Sequence, residues 1–195
     1  RRFWKGDKDT AWNMSDKIKG TPSIYKEDTI FPKSINFITS HDGFTLKDLV
    51  TFNRKHNFAN REQNRDGDNH NNSWNHGTEG PTTNLLINDL RKRQQKNLVL
   101  SLLISKGVPM ILMGDEIGRS QGGNNNSWCQ DNLLGWMNWE HGQQDLELLE
   151  YFKYVIKIRK KLINIFNPSF FPNNQTNKNI PTYHWHGTKL DSPDW

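Results

Sequence analysis

Three observations predict an α/β chain. Two short apolar segments, 35–39 and 108–113, each run into acidic residues and then a long polar loop. A long amphipathic helical pattern lies between them, and another follows the second. Strand, helix and strand in that order imply parallel strands, since the crossover helix returns the chain to the same end of the sheet. Acidic groups at the C-terminal ends of parallel strands are how a (β/α)8 barrel builds one wall of a site. The expectation is a partial TIM (β/α)8 barrel, because only two of its eight strands are present.

The elements follow in order. Arg1-Arg2-Phe3-Trp4 reads as the last turn of a helix stopped by Gly6, and 11–18 as a short helix stopped by Gly20-Thr21-Pro22. Segment 35–39 is too apolar for one face to be wet, as expected of a parallel strand covered on both sides. It places Asn36, Ile38 and Ser40 on one face and Phe37, Thr39 and His41 on the other. Residues 44–58 predict a short helix, with Leu46, Leu49, Val50 and Asn53 near helical spacing. Residues 59–81 form a long polar loop carrying Trp74, and loops of that length are usually functional or disordered. Thr82 or Thr83 is expected to cap a helix over 84–105, with Leu86, Leu90, Leu98 and Leu102 on its stripe and Gly107 at its left-handed C-terminus. Segment 108–113 is the second strand, tolerating Pro109 at its start. After an Asn/Gly-rich loop at 119–131, a helix over 146–163 presents Leu148, Leu149, Phe152, Val155, Ile156, Arg159 and Leu162. Pro168 and Pro172 close the domain-like part.

Composition narrows the function classes. Apolar residues make up 33% of 195, and mean hydropathy is −0.91. Globular chains usually reach roughly 45–50% apolar with glycine included, so this chain reads as a piece of something larger. Formal charge is +5, with basic residues grouped at 91–93 and 157–161. Both groups sit on helical patterns and are expected on solvated faces. No Arg/Gly tract or Cys/His finger points to nucleic acid. One cysteine, Cys129, excludes an intrachain disulfide and is expected to be a buried spectator. No apolar run nears the roughly 20 residues that span a bilayer. Asn13, Asn71, Asn125 and Asn174 stand in formal glycosylation sequons.

The chemistry-bearing groups cluster after the strands. His41-Asp42-Gly43 ends the first, and there a carboxylate and an imidazole could grip neighbouring sugar hydroxyls as charge develops at an anomeric carbon. Asp115-Glu116 ends the second, either as a cap, as an arginine partner or in direct chemistry. Asp66-Gly67-Asp68-Asn69 resembles the opening of a calcium loop, but Gly77 stands where the twelfth-position glutamate belongs, so no metal is expected. Arg119, Asn124, Asn125, Asn126, Trp128 and Asp131 are spaced like a carbohydrate wall of planar hydrogen-bonding groups beside an aromatic plate. Eight tryptophans in the chain favour an extended polar ligand.

These motifs resemble the isoamylase and glycogen-debranching branch of the α-amylase superfamily, glycoside hydrolase family 13. Residues 35–46 (INFITSHDGFTL) look like its seventh-strand motif, with 55–68 and 73–81 as the loop beyond. Residues 107–116 (GVPMILMGDE) are similar to the eighth strand, and 123–132 (GNNNSWCQDN) to the loop that follows. Residues 1–7 look like the helix after strand six, and 183–187 like the passage to a C-terminal β domain. The resemblance implies that 1–172 is the C-terminal part of the barrel and 173–195 a linker and the start of a β-sandwich. It implies a retaining hydrolase of α-1,6 branch linkages, needing no cofactor. Asp42 would stabilise the transition state, and His41, Arg119, Asn125, Asn126 and Trp128 would bind substrate. The nucleophilic aspartate and acid/base glutamate map before Arg1, so the chain by itself is expected to be inactive. Implied partners are a branched α-glucan and the preceding part of the same protein, in the cytoplasm or, for a plant or algal source, the plastid stroma. The alternative is a non-catalytic glucan-binding or regulatory subunit on the same fold.

Overall fold

The computed structural model describes residues 1–25, 34–140, 143–166, 186, 187 and 189. The rest of the expected linker and β domain over 173–195, the ends at Pro168 and Pro172 and the sequon at Asn174 lie outside them. Helix α1 (Arg2–Lys5) is one turn, and Gly6 ends it at φ 87°. Helix α2 (Ala11–Ile18) follows as predicted. Strands β1 (Ile35–Phe37) and β2 (Val108–Met110) pair in parallel, with Ile35 opposite Val108 and Phe37 opposite Met110. Both are shorter than the apolar runs that announced them.

Burial on both strand faces is not found. Ile35 is 64% and Phe37 52% exposed, and Val108 is exposed beside them. Ile35 and Phe37, two residues apart, share the one face that stays open, while Asn36 between them is half-buried.

Between the strands the predicted 44–58 helix shrinks to one turn, α3 (Leu46–Leu49), capped by Thr45 Oγ1, which accepts from Asp48 N. Glu79 explains the stop. Its carboxylate accepts from the amides of Asn53 (2.8 Å) and Arg54 (3.1 Å), which a continuing helix would have spent on its own carbonyls. Burial opposes ionisation of this carboxyl, yet the bonds from Asn53, His56, Asn75 and Arg54 together bring it down to about 2.

The long helix α4 (Leu85–Ile104) starts where predicted, but Asn84 is its cap, accepting from the amides of Leu86 and Ile87. Thr82 instead receives Asn84 N–H. Leu86 is exposed, so the apolar stripe begins only at Leu98 and continues through Val99, Leu102 and Leu103. Ser105 caps the other end in extended conformation, and Gly107 turns two residues later at φ 118°, against Ser34. Helix α5 (Gln143–Phe166) begins three residues earlier than expected. Leu148, Phe152 and Val155 pack with Leu46, Val50, Leu98, Val99 and Leu103 in the main core.

The two basic clusters are only partly solvated. Arg91 is 5% exposed and donates to the carbonyls of Asn75, Thr78 and Gly80, bolting the long loop to α4. Arg159 donates to the carbonyls of Leu103, Ser105 and Gly107, closing the C-terminal end of α4 from α5. A planar guanidinium suits such sites because its donors fan out in a fixed geometry. Cys129 also departs from expectation. It is exposed, at the end of a short 3-10 turn over Ser127–Cys129.

Candidate functional site

The segment from Thr39 to Phe44 leaves β1 and is pinned at three points. Thr39 is buried and its hydroxyl donates to Asp115. Gly43 N donates to the carbonyl of Asn125 at 2.9 Å, and Gly43 itself turns at φ 120°. Phe44 is fully buried against Leu49 and Phe52. Between these anchors His41 and Asp42 project into solvent, their side chains 87% and 82% exposed, with His41 Nε2 3.4 Å from Asp42 Oδ2.

Two buried carboxylates tie the strand-end loops to each other. Asp115, after β2, accepts from Leu46 N (2.9 Å) and from Thr39, both after β1. Asp48, in α3, accepts from Ser120 Oγ (2.5 Å) and Gln121 N (2.8 Å), both after β2. Asp115 therefore serves structure, while the neighbouring Glu116 accepts from Gly114 N. Burial pushes both aspartates up, more strongly than their hydrogen bonds pull them down, and Asp115 reaches about 6. Its ordinary value is 3.8, so the folded protein holds that proton more tightly. Its contribution to stability is full below that value and is lost as pH rises through about 6. Asp115→Asn keeps an acceptor for Leu46 N–H without the titration. Urea unfolding of both proteins from pH 4 to 7 should show their stability difference moving by about 2 kcal/mol in the variant's favour; a constant difference would count against this carboxyl.

An asparagine ladder locks the 55–80 loop to the 119–131 loop. Asn57 Nδ2 donates to Asn125 Oδ1 (2.8 Å), and Asn125 N donates back to Asn57 Oδ1 (3.0 Å). Asn125 Nδ2 donates to Asp68 O and Asn71 Oδ1. Asn60 and Asn124 exchange side-chain bonds, and Asp66 Oδ2 accepts from Asn60 (2.7 Å) and Asn126 (2.9 Å). Lys55 Nζ lies inside the loop, donating to the carbonyls of residues 65, 66 and 67. Asn71 and Asn125 are buried, which closes those two sequons to glycosylation.

Gly67 sits at the centre of this lock. A Cβ there would lie 2.2 Å from Asn125 Oδ1 and 2.8 Å from Asn57 Nδ2, at φ 72°. Gly67→Ala is expected to cost about 2–3 kcal/mol through backbone strain and a broken amide pair. Denaturant unfolding measures it, and a cost under 0.5 kcal/mol would contradict the packing described.

The expected site residues divide into two groups. His41, Asp42 and Trp128 are free to meet a ligand, Trp128 being 77% exposed. Asn126 is half-buried and keeps its side-chain oxygen outside the bonds made by its amide nitrogen. Asn125 is buried with its side-chain atoms engaged inside the protein, so contact with a ligand through that side chain is not available. Arg119 is half-buried and braces the stretch that follows it, donating from Nη2 to Gly135 O (2.6 Å). Asp131 accepts from Trp136 Nε1 (2.8 Å).

Sequence reasoning missed Asp48, Lys55, Asn57, Asn60 and Arg1. Arg1 donates to the carbonyls of Ile38 and Asn71, joining β1's exit to the long loop. Lys55, Asn57 and Asn60 carried a hint, since they lie in the 55–68 motif. Among the described residues no cluster of His, Cys, Asp or Glu is placed to hold a metal ion, and no helix is long and apolar enough to cross a membrane.

Taken together, these features define an α/β protein of the strand–helix–strand kind, with a polar face at the C-terminal ends of its parallel strands. Comparison with known proteins makes the assignment specific. Isoamylase 1, chloroplastic, from Oryza sativa subsp. japonica is 42% identical over 196 residues, covering 100% of this chain and 24% of that protein. The glycogen operon protein GlgX homolog of Mycobacterium tuberculosis is 47% identical over 161 residues, 82% of this chain and 22% of that protein. The glycogen debranching enzyme of Erwinia tasmaniensis is 43% identical over 163 residues, 83% of this chain and 24% of that protein. No family model matches the chain. The chain belongs to the isoamylase and glycogen-debranching branch of the α-amylase family. It spans about a quarter of the length of these relatives.

Proposed function

We propose that this chain is the strand-seven and strand-eight part of the catalytic barrel of a debranching hydrolase acting on α-1,6 linkages of glycogen or a related α-glucan. One observation carries the reading: the loop bearing His41 and Asp42 and the loop bearing Trp128 leave the same end of a parallel strand pair and are hydrogen-bonded together at Gly43 and Asn125. Asp42 is the carboxylate that stabilises positive charge at the sugar before the cleaved bond, and His41 grips an adjacent hydroxyl. Trp128 is the plate on which a sugar ring stacks, with Asn126 at its side. Arg119 and Asn125 hold the wall in place.

A retaining hydrolase also needs a nucleophile and an acid/base carboxyl, with the acid protonating the leaving oxygen while the nucleophile forms a glycosyl ester. In this reading both come from the preceding part of a longer protein. Asp42 makes and breaks no bond, so the 195 residues alone should release no sugar. The test is the full-length protein on glycogen, with product configuration followed by NMR. Linear chains released first as the α-anomer fit the reading, whereas β-anomer product would exclude a retaining mechanism. Tight glycogen binding without hydrolysis would instead establish a non-catalytic glucan-binding subunit.

A further inference from the structure

We infer that Asn57 is a positioning residue for Asp42, acting through the backbone of Asn125; this rests on the proposed role of Asp42. Asn57 reads Asn125 twice, accepting from its N–H and donating to its side-chain oxygen at 3.0 and 2.8 Å. The carbonyl of the same Asn125 accepts from Gly43 N at 2.9 Å. A fixed route therefore runs from a fully buried asparagine to the residue next to Asp42. Among the described residues the side chain of Asp42 is anchored by His41 alone, itself exposed. Its placement therefore depends on the backbone, held on one side by Thr39 with Asp115 and on the other by Gly43 with Asn125.

Asn57 is held in turn. Its amide nitrogen also donates to Asp66 O (3.0 Å), and its own N–H donates to Asn64 Oδ1 (2.7 Å). Lys55, two residues earlier, clasps the carbonyls of 65, 66 and 67. Every partner of Asn57 is thus a rigidified loop atom, and the amide needs one donor and one acceptor face toward Asn125. Only asparagine at this length offers both. The residue lies outside the ligand-facing group, so its effect on the reaction is indirect.

The experiment is a double-mutant cycle in the full-length protein with Asn57→Ala and Asp42→Asn, measuring kcat and KM on a branched glucan. Asn57→Ala is expected to lower kcat about 10- to 100-fold with KM within about threefold. In the Asp42→Asn background it should lower kcat little further, because the carboxylate it positions is already gone. Independent, multiplicative losses would overturn the inference, as would an unchanged kcat in Asn57→Ala. Hydrogen exchange of a peptide covering 41–46 gives a readout free of any activity, and the Gly43 amide should exchange faster in Asn57→Ala. Should that variant fail to fold, Asn57→Ser, whose shorter hydroxyl cannot hold both the N–H and the side-chain oxygen of Asn125, should also speed exchange at 41–46. Exchange equal to wild type in that variant would overturn the coupling. Full activity of Asp42→Asn would instead sink the role of Asp42, leaving the exchange result to stand or fall separately.

Discussion

Arg91→Met is expected to lower the unfolding free energy by about 3 kcal/mol. The side chain is almost wholly buried, and its guanidinium is the shared donor to three carbonyls of the 75–80 turn. Removing it leaves the oxygens of Thr78 and Gly80 without that donor and Asn75 O with only the long bond from Thr78 N at 3.5 Å, and each buried orphan costs about 1–3 kcal/mol, less where water can reach it. Methionine fills much of the volume, so little of the loss comes from a cavity. Burial also lowers the proton affinity of Arg91, with Glu79 opposing, so the variant also strips Glu79 of a nearby positive charge. Arg91→Lys should recover only part of the loss, because one ammonium cannot serve three divergent carbonyls as a planar fork does. Urea unfolding of the three proteins checks it; a loss under 1 kcal/mol for Arg91→Met would mean that the loop is held elsewhere.

The elements that sequence reveals are those written in local periodicity and chain-stop residues. Helix α2, the start of α4, the turn at Gly6 and the strand–helix–strand order all belong there. What escaped is written in pairings across long separations. No local signal distinguishes Arg91 from its neighbours Lys92 and Arg93, yet the first is a bolt and the others lie on the helix surface. The truncation of α3 at Val50 depends on Glu79, about 30 residues away, capturing amides that a helix would have used. Cys129 reads as a small apolar residue, but its 3-10 turn projects it outward.

The same division runs through the site. His41 and Asp42 stand out in the sequence by their place at a strand end and Trp128 by its place in a polar loop, and the structure leaves all three exposed. The asparagines looked alike in sequence and split by burial. Asn57, Asn124 and Asn125 are nearly inaccessible and serve as an internal lattice of amides. Their abundance, which composition alone could assign to bias, has a physical use here. An amide donates and accepts without carrying charge, so a buried set can satisfy itself at no ionic desolvation cost.

Asp42→Asn in the full-length protein tests the account at its centre. The carboxylate is exposed, meets among the described residues only the exposed His41 at 3.4 Å, and is set on a backbone pinned on both sides, so replacing one oxygen by an amide should leave the fold intact. In the proposed role, its negative charge matters most when positive charge builds at the anomeric carbon, and much less in the ground state. Kinetics on a branched glucan should show kcat reduced on the order of 10²- to 10³-fold with KM changed only a few-fold. A variant with wild-type kcat would contradict the assignment of Asp42, and with it the claim that this strand-end rim takes part in glucan hydrolysis.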